Sequence, residues 1–315
     1  MVSFDYSGKP GDYTQGYIMK RKNFRASIIK FPSLYHNPVK GTETAEFYLF
    51  DPREKPAGIL FLLHGLGSAN VPFLLWLASR LANAGIRTVL PVLPGNFTRT
   101  IHGSTSGKDF FNRDVDHSIK VWEQSMVDLL SGIDFFKDQG LWMDNTHLFG
   151  FCLGGMIAVM ISAVRREFKR TYLMTVGGEM ATILWHSPSL AYFRRSLEVF
   201  PDDPGWNIGN RDTMLRNYES DMKRLAEFHS VREMQESDIH PYLKIDPIAY
   251  ARFVDTDRII FIEALFDRAL PKRSRRLLWE ALGKPRRHIA PMGHATWLPF
   301  QFIIEKIPGP PSPDE

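Results

Sequence analysis

From Ala57 onward the chain alternates short apolar, β-rich runs with longer segments whose apolar residues recur at helical spacing. That order produces an α/β architecture, a mostly parallel, doubly wound sheet with helices on both faces. Gly58 to Leu63 (GILFLL) is the first such strand. It ends in His64-Gly65-Leu66-Gly67, and Val71 to Ala84 then reads as a helix closed by Gly85. Arg87 to Pro91 is the next strand. After a loop rich in Gly, Ser and Thr, residues Asp114 to Lys137 carry apolar side chains at helical spacing, and Thr146 to Phe151 returns as a strand. A helix follows from Leu153 to about Phe168, then a strand from Thr171 to Val176.

There the alternation breaks. Between Trp185 and about Ala249 no parallel strand is legible; charged helical patterns such as Asp212 to Phe228 are interrupted by prolines. The sheet pattern resumes at Arg258 to Ala264, followed by a helix from about Lys272 to Leu282, a short strand near His288 and a last helix from Trp297 to Ile307. Arg25 to Phe31 and Glu43 to Phe50 alternate enough to be antiparallel edge strands. The expected organisation is therefore a core of residues 1–184 and 250–307, a helical cap insertion at 185–249, and a flexible proline-rich tail at 308–315.

Composition narrows the class. At 315 residues with 44% hydrophobic content the chain can bury a large core without disulfides or metal. Its net charge of +4 comes from basic residues interleaved with acidic ones, a solvated surface rather than the stripe a nucleic-acid binder shows. Cys152 is the single cysteine. It excludes an intramolecular disulfide framework and fits a reducing compartment. Met1 to Lys22 lacks the apolar stretch of a secretory signal, so a cytoplasmic location is expected. Leu148 to Val164 is uncharged but shorter than the ~20 residues a membrane helix needs. Neither membrane nor nucleic acid is an expected partner, and a strand turning into a buried helix explains the same run.

That turn is the sharpest chemical feature. In Gly150-Phe151-Cys152-Leu153-Gly154-Gly155 a side chain at a tight strand-to-helix junction is pushed into a cleft, and glycines stand on either side where a Cβ would collide with backbone. The unpaired N–H groups of a helix N-terminus favour a thiolate over a thiol. Taken alone, Cys152 reads more readily as a small apolar filler, which is what a lone cysteine most often is. Context favours a nucleophile, because Asp267 lies just past the strand ending at Ala264, and His294 lies in the loop after the next short strand. In a parallel sheet these loops open on the same edge, so nucleophile, acid and base can meet. His294 then handles the thiol proton and Asp267 orients the imidazole.

Together, His64-Gly65-Leu66-Gly67, the Gly-x-Cys-x-Gly-Gly elbow, Asp267 and Gly293-His294 resemble the α/β-hydrolase family over roughly Ala57 to Ile307. The resemblance implies an oxyanion hole built from the backbone N–H groups of Leu66 and Leu153, with His64 shaping the loop. Most members carry serine in the elbow; cysteine there resembles dienelactone hydrolases and polyhydroxyalkanoate synthases. Two features separate this chain from dienelactone hydrolases: the oxyanion loop has no acid, and an insertion follows Val176. The family implies a small-molecule acyl substrate and hydrolysis of an ester or thioester through an acyl-cysteine. An acyltransferase shares every one of these residues, and a non-catalytic binding protein shares the scaffold.

Trp297, near His294, and Trp185, in the insertion, are expected to wall a substrate pocket. Glu179 either faces the cleft or caps the next segment. Gly103 to Lys108 resembles a phosphate loop, but its glycines are one residue too close, and it reads as a flexible surface loop. The histidines show no metal-binding spacing, so neither metal nor cofactor is expected. Lys272 to Arg276 reads as a solvated basic face.

Overall fold

The computed structural model describes residues 2–199 and 205–299. Nine strands form one sheet in the order β1-β2-β3-β5-β4-β6-β7-β8-β9. Three N-terminal strands, β1 (Thr14–Lys20), β2 (Phe24–Pro32) and β3 (Thr44–Pro52), run antiparallel to their neighbours. The next pair, β4 (Gly58–Leu63) and β5 (Ile86–Val92), is parallel and joined by α1 (Val71–Asn83). The long helix α2 (Val115–Asp138), capped by the Asp114 side chain, leads to β6 (Thr146–Phe151) on the other side of β4. Then come α3 (Leu153–Val164) and β7 (Arg170–Met174).

Between β7 and β8 the described chain is helical: α4 (Met180–His186), α5 (Ala191–Val199), α6 (Arg211–Arg224), α7 (Val231–Glu236) and the single turns α8 (Pro241–Lys244) and α9 (Pro247–Tyr250). The sheet finishes with β8 (Ile259–Ala264), α10 (Lys272–Ala281) and β9 (Arg286–Ala290), both strands parallel to their neighbours.

The period-2 alternation of β4 divides the core. Ile59, Phe61 and Leu63 pack with α2 and α3 on one face, while Leu60 and Leu62 pack with α1 on the other. Because both faces are covered, every residue of β4 and β6 is buried. The chain goes from β4 to β5 on one side and returns to β6 on the other, so loops diverge at the carboxyl ends of β4 and β6. A crevice opens at such a switch point. Leu63 pairs with Gly150 there, which sets the loop after β4 beside the Cys152 turn.

The structure departs from the sequence reading in several places. β2 and β3 are interior strands, because β1 covers the edge. β1 was not legible: all seven of its residues are exposed, so neither face imposes an apolar alternation. The helix expected to reach Phe168 ends at Val164, where Arg165 turns extended. Arg275 within the basic run is buried, and its guanidinium donates to Glu263, which also pairs with Arg287. The last helix expected from Trp297 begins in a turn at 294–299, and its remainder and the tail at 308–315 lie outside the described residues. Among the described residues no helix is long and apolar enough to cross a membrane.

Candidate active site

Cys152 caps the N-terminus of α3 with φ 52° and ψ −116°, a conformation strained for any residue with a Cβ. The flanking glycines make that turn possible. A Cβ at Gly150 would lie 2.3 Å from the Gly154 carbonyl oxygen, and one at Gly154 would lie 2.5 Å from the Leu63 oxygen. The Cys152 N–H donates to Met174 O at 3.0 Å, fastening the elbow to β7. Its side chain is half-buried and lines a cavity.

Asp267 and His294 come from the loops after β8 and β9, and His294 lines the same cavity. His294 Nδ1 lies 2.9 Å from Asp267 Oδ2. The other oxygen, Oδ1, accepts the N–H groups of Ala269 and Leu270 at 2.9 and 3.0 Å, and the Asp267 side chain is wholly buried. The carboxylate is thus fixed in rotation and has one oxygen left for the imidazole. The His294 ring lines the same cavity as Cys152 and sits 5.3 Å from the Phe151 ring. Burial by itself would lower the imidazole pKa, but the charge of the Cys152 sulfur and the bond to Asp267 reverse this and raise it to about 10. Burial likewise opposes ionisation of Asp267, and its hydrogen bond with His294 holds its pKa below the usual carboxylate value.

The loop after β4 is held by two asparagines. Gly65 N–H donates to Asn70 Oδ1 at 2.9 Å and Gly67 N–H to Asn96 Oδ1 at 2.8 Å, while Asn70 Nδ2 donates to the carbonyls of Leu66 and Gly67. The intervening Leu66 N–H has no hydrogen-bond partner among the described residues, and neither does Leu153 N–H at the start of α3. Both residues line the cavity beside Cys152. Two such unengaged donors are what a developing oxyanion requires. Asn70 directly precedes α1 and reads in sequence as a helix cap, yet it makes no side-chain cap bond; nothing in the sequence distinguishes Asn96. His64 is fully buried, its Nε2 accepts Leu93 N–H at 3.0 Å, and burial drives its pKa down to about 4. It shapes the loop as a neutral ring.

The cavity measures about 920 Å³. Neither tryptophan expected to wall it does so. Trp297 is buried on the far side of Phe151, edge-on at 5.2 Å, in the α1-side core. Trp185 turns to α6, where its Nε1 donates to Met214 Sδ at 3.3 Å. Glu179 is buried beside Arg273, at 3.2 Å, and does not line the cavity. The segment read as a flexible surface loop instead supplies Thr105 to Lys108 to the lining. Ser106 Oγ accepts from Ser68 Oγ at 2.7 Å and from Phe97 N–H at 3.0 Å, and Gly107 N–H donates to Gly95 O at 2.8 Å. Among the described residues no group of three or more His, Cys, Asp or Glu side chains could hold a metal ion.

The sequence model described as "Alpha/beta hydrolase family" matches residues 60–301. No curated protein sequence matches the chain. Acetyl xylan esterase 1 from Thermoanaerobacterium sp. JW/SL YS485 is similar in structure, with a TM-score of 0.61 at 14% identity over 94% of this chain and 88% of its own. A cold-adapted esterase from an Arctic intertidal metagenomic library gives 0.52 at 15% identity over 96% and 98%. Pyrococcus horikoshii acylaminoacyl peptidase gives 0.58 at 14% identity over 91% of this chain but 41% of the peptidase, so the chain spans about two fifths of that protein's length.

Proposed function

The chain belongs to the alpha/beta hydrolase family, and from that premise we propose that it hydrolyses carboxylic ester or thioester bonds through an acyl-Cys152 intermediate. The observation that carries this reading is His294, hydrogen-bonded to Asp267 at 2.9 Å, lining one cavity with Cys152 and the unengaged N–H groups of Leu66 and Leu153. The sulfur attacks the carbonyl carbon, and the oxygen, now negative, accepts the N–H groups of Leu66 and Leu153. Each such donor contributes ~3 kcal/mol to lowering the barrier. As the tetrahedral state collapses, His294 gives its proton to the departing alcohol or thiol. Water then attacks the acyl-sulfur carbonyl while His294 takes its proton, and the C–S bond breaks to release the acid and the thiolate. Asp267 holds the imidazole with Nδ1–H outward from the sulfur throughout.

Esters and thioesters fit a thiolate nucleophile better than amides do, since their leaving groups depart without prior protonation of a nitrogen. The names of the structural neighbours, two esterases and a peptidase, are consistent with acyl chemistry. The elbow cysteine, shared in pattern with dienelactone hydrolases, supports the covalent step, and the reaction takes a small acyl compound without cofactor. A cytoplasmic setting, where the lone thiol stays reduced, suits that chemistry.

The test uses the single thiol. Turnover of short-chain aryl esters and acyl thioesters by the wild type should fall roughly 10⁴-fold or more in Cys152→Ala. Iodoacetamide should abolish wild-type turnover in step with alkylation. Activity unchanged in Cys152→Ala would overturn the reading. Ester product formed when an alcohol is added would assign the same residues to acyl transfer.

A further inference from the structure

The cavity next to Cys152 is lined largely by apolar side chains, including Phe73, Phe111, Met156, Ile183 and Leu190, and no carboxylate faces it among the described residues. Lys108 is the one lysine or arginine in the described lining. Lys108 is exposed at the rim, with Nζ 5.4 Å from the centre of the Tyr192 ring, and the Tyr192 hydroxyl donates to the Lys108 carbonyl at 3.5 Å. Both residues line the cavity, so the ammonium is steered over the opening by the ring face.

The acid next to it in sequence is engaged elsewhere. Asp109 is buried, accepts Ser104 Oγ–H at 2.7 Å and lies 3.0 Å from His117 Nε2. Among the described residues Lys108 forms no ion pair. A cationic rim on an apolar cavity without carboxylates attracts a particular kind of molecule. A polyol would leave hydroxyls unpaired against Phe73, Phe111 and Leu190, whereas an apolar chain would displace water from them.

Resting on the acyl-Cys152 reading, we infer that the substrate joins an apolar chain to an anionic group, and that Lys108 is the specificity-determining residue that reads the anion at the cavity rim. The anion belongs either to the far end of the acyl chain or to the leaving group; the chemistry Lys108 recognises is the same.

Three probes separate these sources: para-nitrophenyl decanoate, which is neutral; the mono-para-nitrophenyl ester of decanedioic acid, anionic on the acyl side; and the decanoyl ester of para-hydroxybenzenesulfonate, anionic on the leaving side. The readout is kcat/KM for each anionic probe divided by that for the neutral one. Since an exposed ion pair has a modest effect, Lys108→Ala should lower this ratio about fivefold for one anionic probe, through KM rather than kcat. Lys108→Glu should lower it further, Lys108→Arg should keep it, and high salt should reduce the wild-type ratio. The probe that responds identifies where the anion sits. A ratio unmoved for both probes in Lys108→Ala and Lys108→Glu overturns the inference, as does an equal rise in KM for neutral and anionic probes. Failure of the underlying reading looks different: all three probes would be turned over normally by Cys152→Ala.

Discussion

A Cβ on Gly107 would lie 2.6 Å from the backbone nitrogen of Gly67, and that nitrogen is the one whose N–H donates to Asn96. Residue 107 therefore sets how closely the 103–111 segment can press on the loop that carries Leu66. Gly107 also has φ 87°, which an L-residue tolerates poorly. Gly107→Ala should displace the loop and misdirect the Leu66 N–H, lowering kcat by roughly 10²-fold with a smaller change in KM. Gly103→Ala is the matched control. Its φ is 81° but no atom lies within 4 Å of the added Cβ, so it should show similar backbone strain without the kinetic loss. Equal kcat in the two variants, measured on one aryl ester, would refute the role given to residue 107.

That contact explains why the Gly103 to Lys108 segment was misread. Its glycines and hydroxyls are locally the composition of a solvated loop, and what holds it in place, Gly67, Ser68 and Gly95, is far away in sequence. The Cys152 turn was legible for the opposite reason: its constraint is local, since Gly150 and Gly154 are needed within four residues of each other. The central strands were legible because burial on both faces leaves continuous apolar runs such as GILFLL. β1 has no buried face and left no such mark. Trp297 illustrates a further limit. Proximity to His294 in the chain placed it near the site but could not say which side of Phe151 it would take, and it took the core side. Likewise a run of basic letters does not reveal that Arg275 has turned inward to Glu263.

Asp246 joins the helical segment to the loop after β7. It is fully buried and accepts four hydrogen bonds, from the N–H groups of Glu179, Met180 and Ile248 and from the Tyr218 hydroxyl. Asp246→Ala leaves these donors unpaired in a buried site and should lower unfolding stability by at least ~3 kcal/mol. Asparagine cannot substitute silently, because each Asp246 oxygen faces two donors and an amide NH₂ would oppose one pair of them. Burial raises the Asp246 pKa to about 6 despite these bonds. A carboxyl whose folded pKa exceeds its unfolded value contributes stability that is full below the unfolded value near 4 and lost as pH rises through about 6. The stability difference between wild type and Asp246→Asn should therefore be wider at pH 4.5 than at pH 7.5 by roughly one pKa-linked increment, ~1 kcal/mol or more. Denaturant titrations of both proteins at the two pH values check this; a constant difference contradicts it.

The His294 ring lies by Cys152 and Asp267, and its titration should govern the alkaline side of the reaction. Burial would lower its pKa, yet the Cys152 sulfur and Asp267 raise it to about 10. Since the folded value lies above the unfolded one, the stabilisation is complete below about 6.5 and disappears as pH rises through about 10. An imidazolium is the form that protonates a leaving group, so kcat/KM for a thioester should fall above about pH 10. Cys152→Ser removes the sulfur's charge, the largest of the influences that raise His294, and leaves a hydroxyl that must give up its proton to a neutral imidazole before it can attack. In that variant the His294 pKa drops and the dependence reverses: turnover should be weaker by roughly 10²-fold or more, since the proton transfer now depends wholly on general-base catalysis. It should also rise with pH through the neutral range. Parallel pH–rate profiles of wild type and Cys152→Ser decide the matter, because two profiles of the same shape would mean that the sulfur does not set the charge of His294.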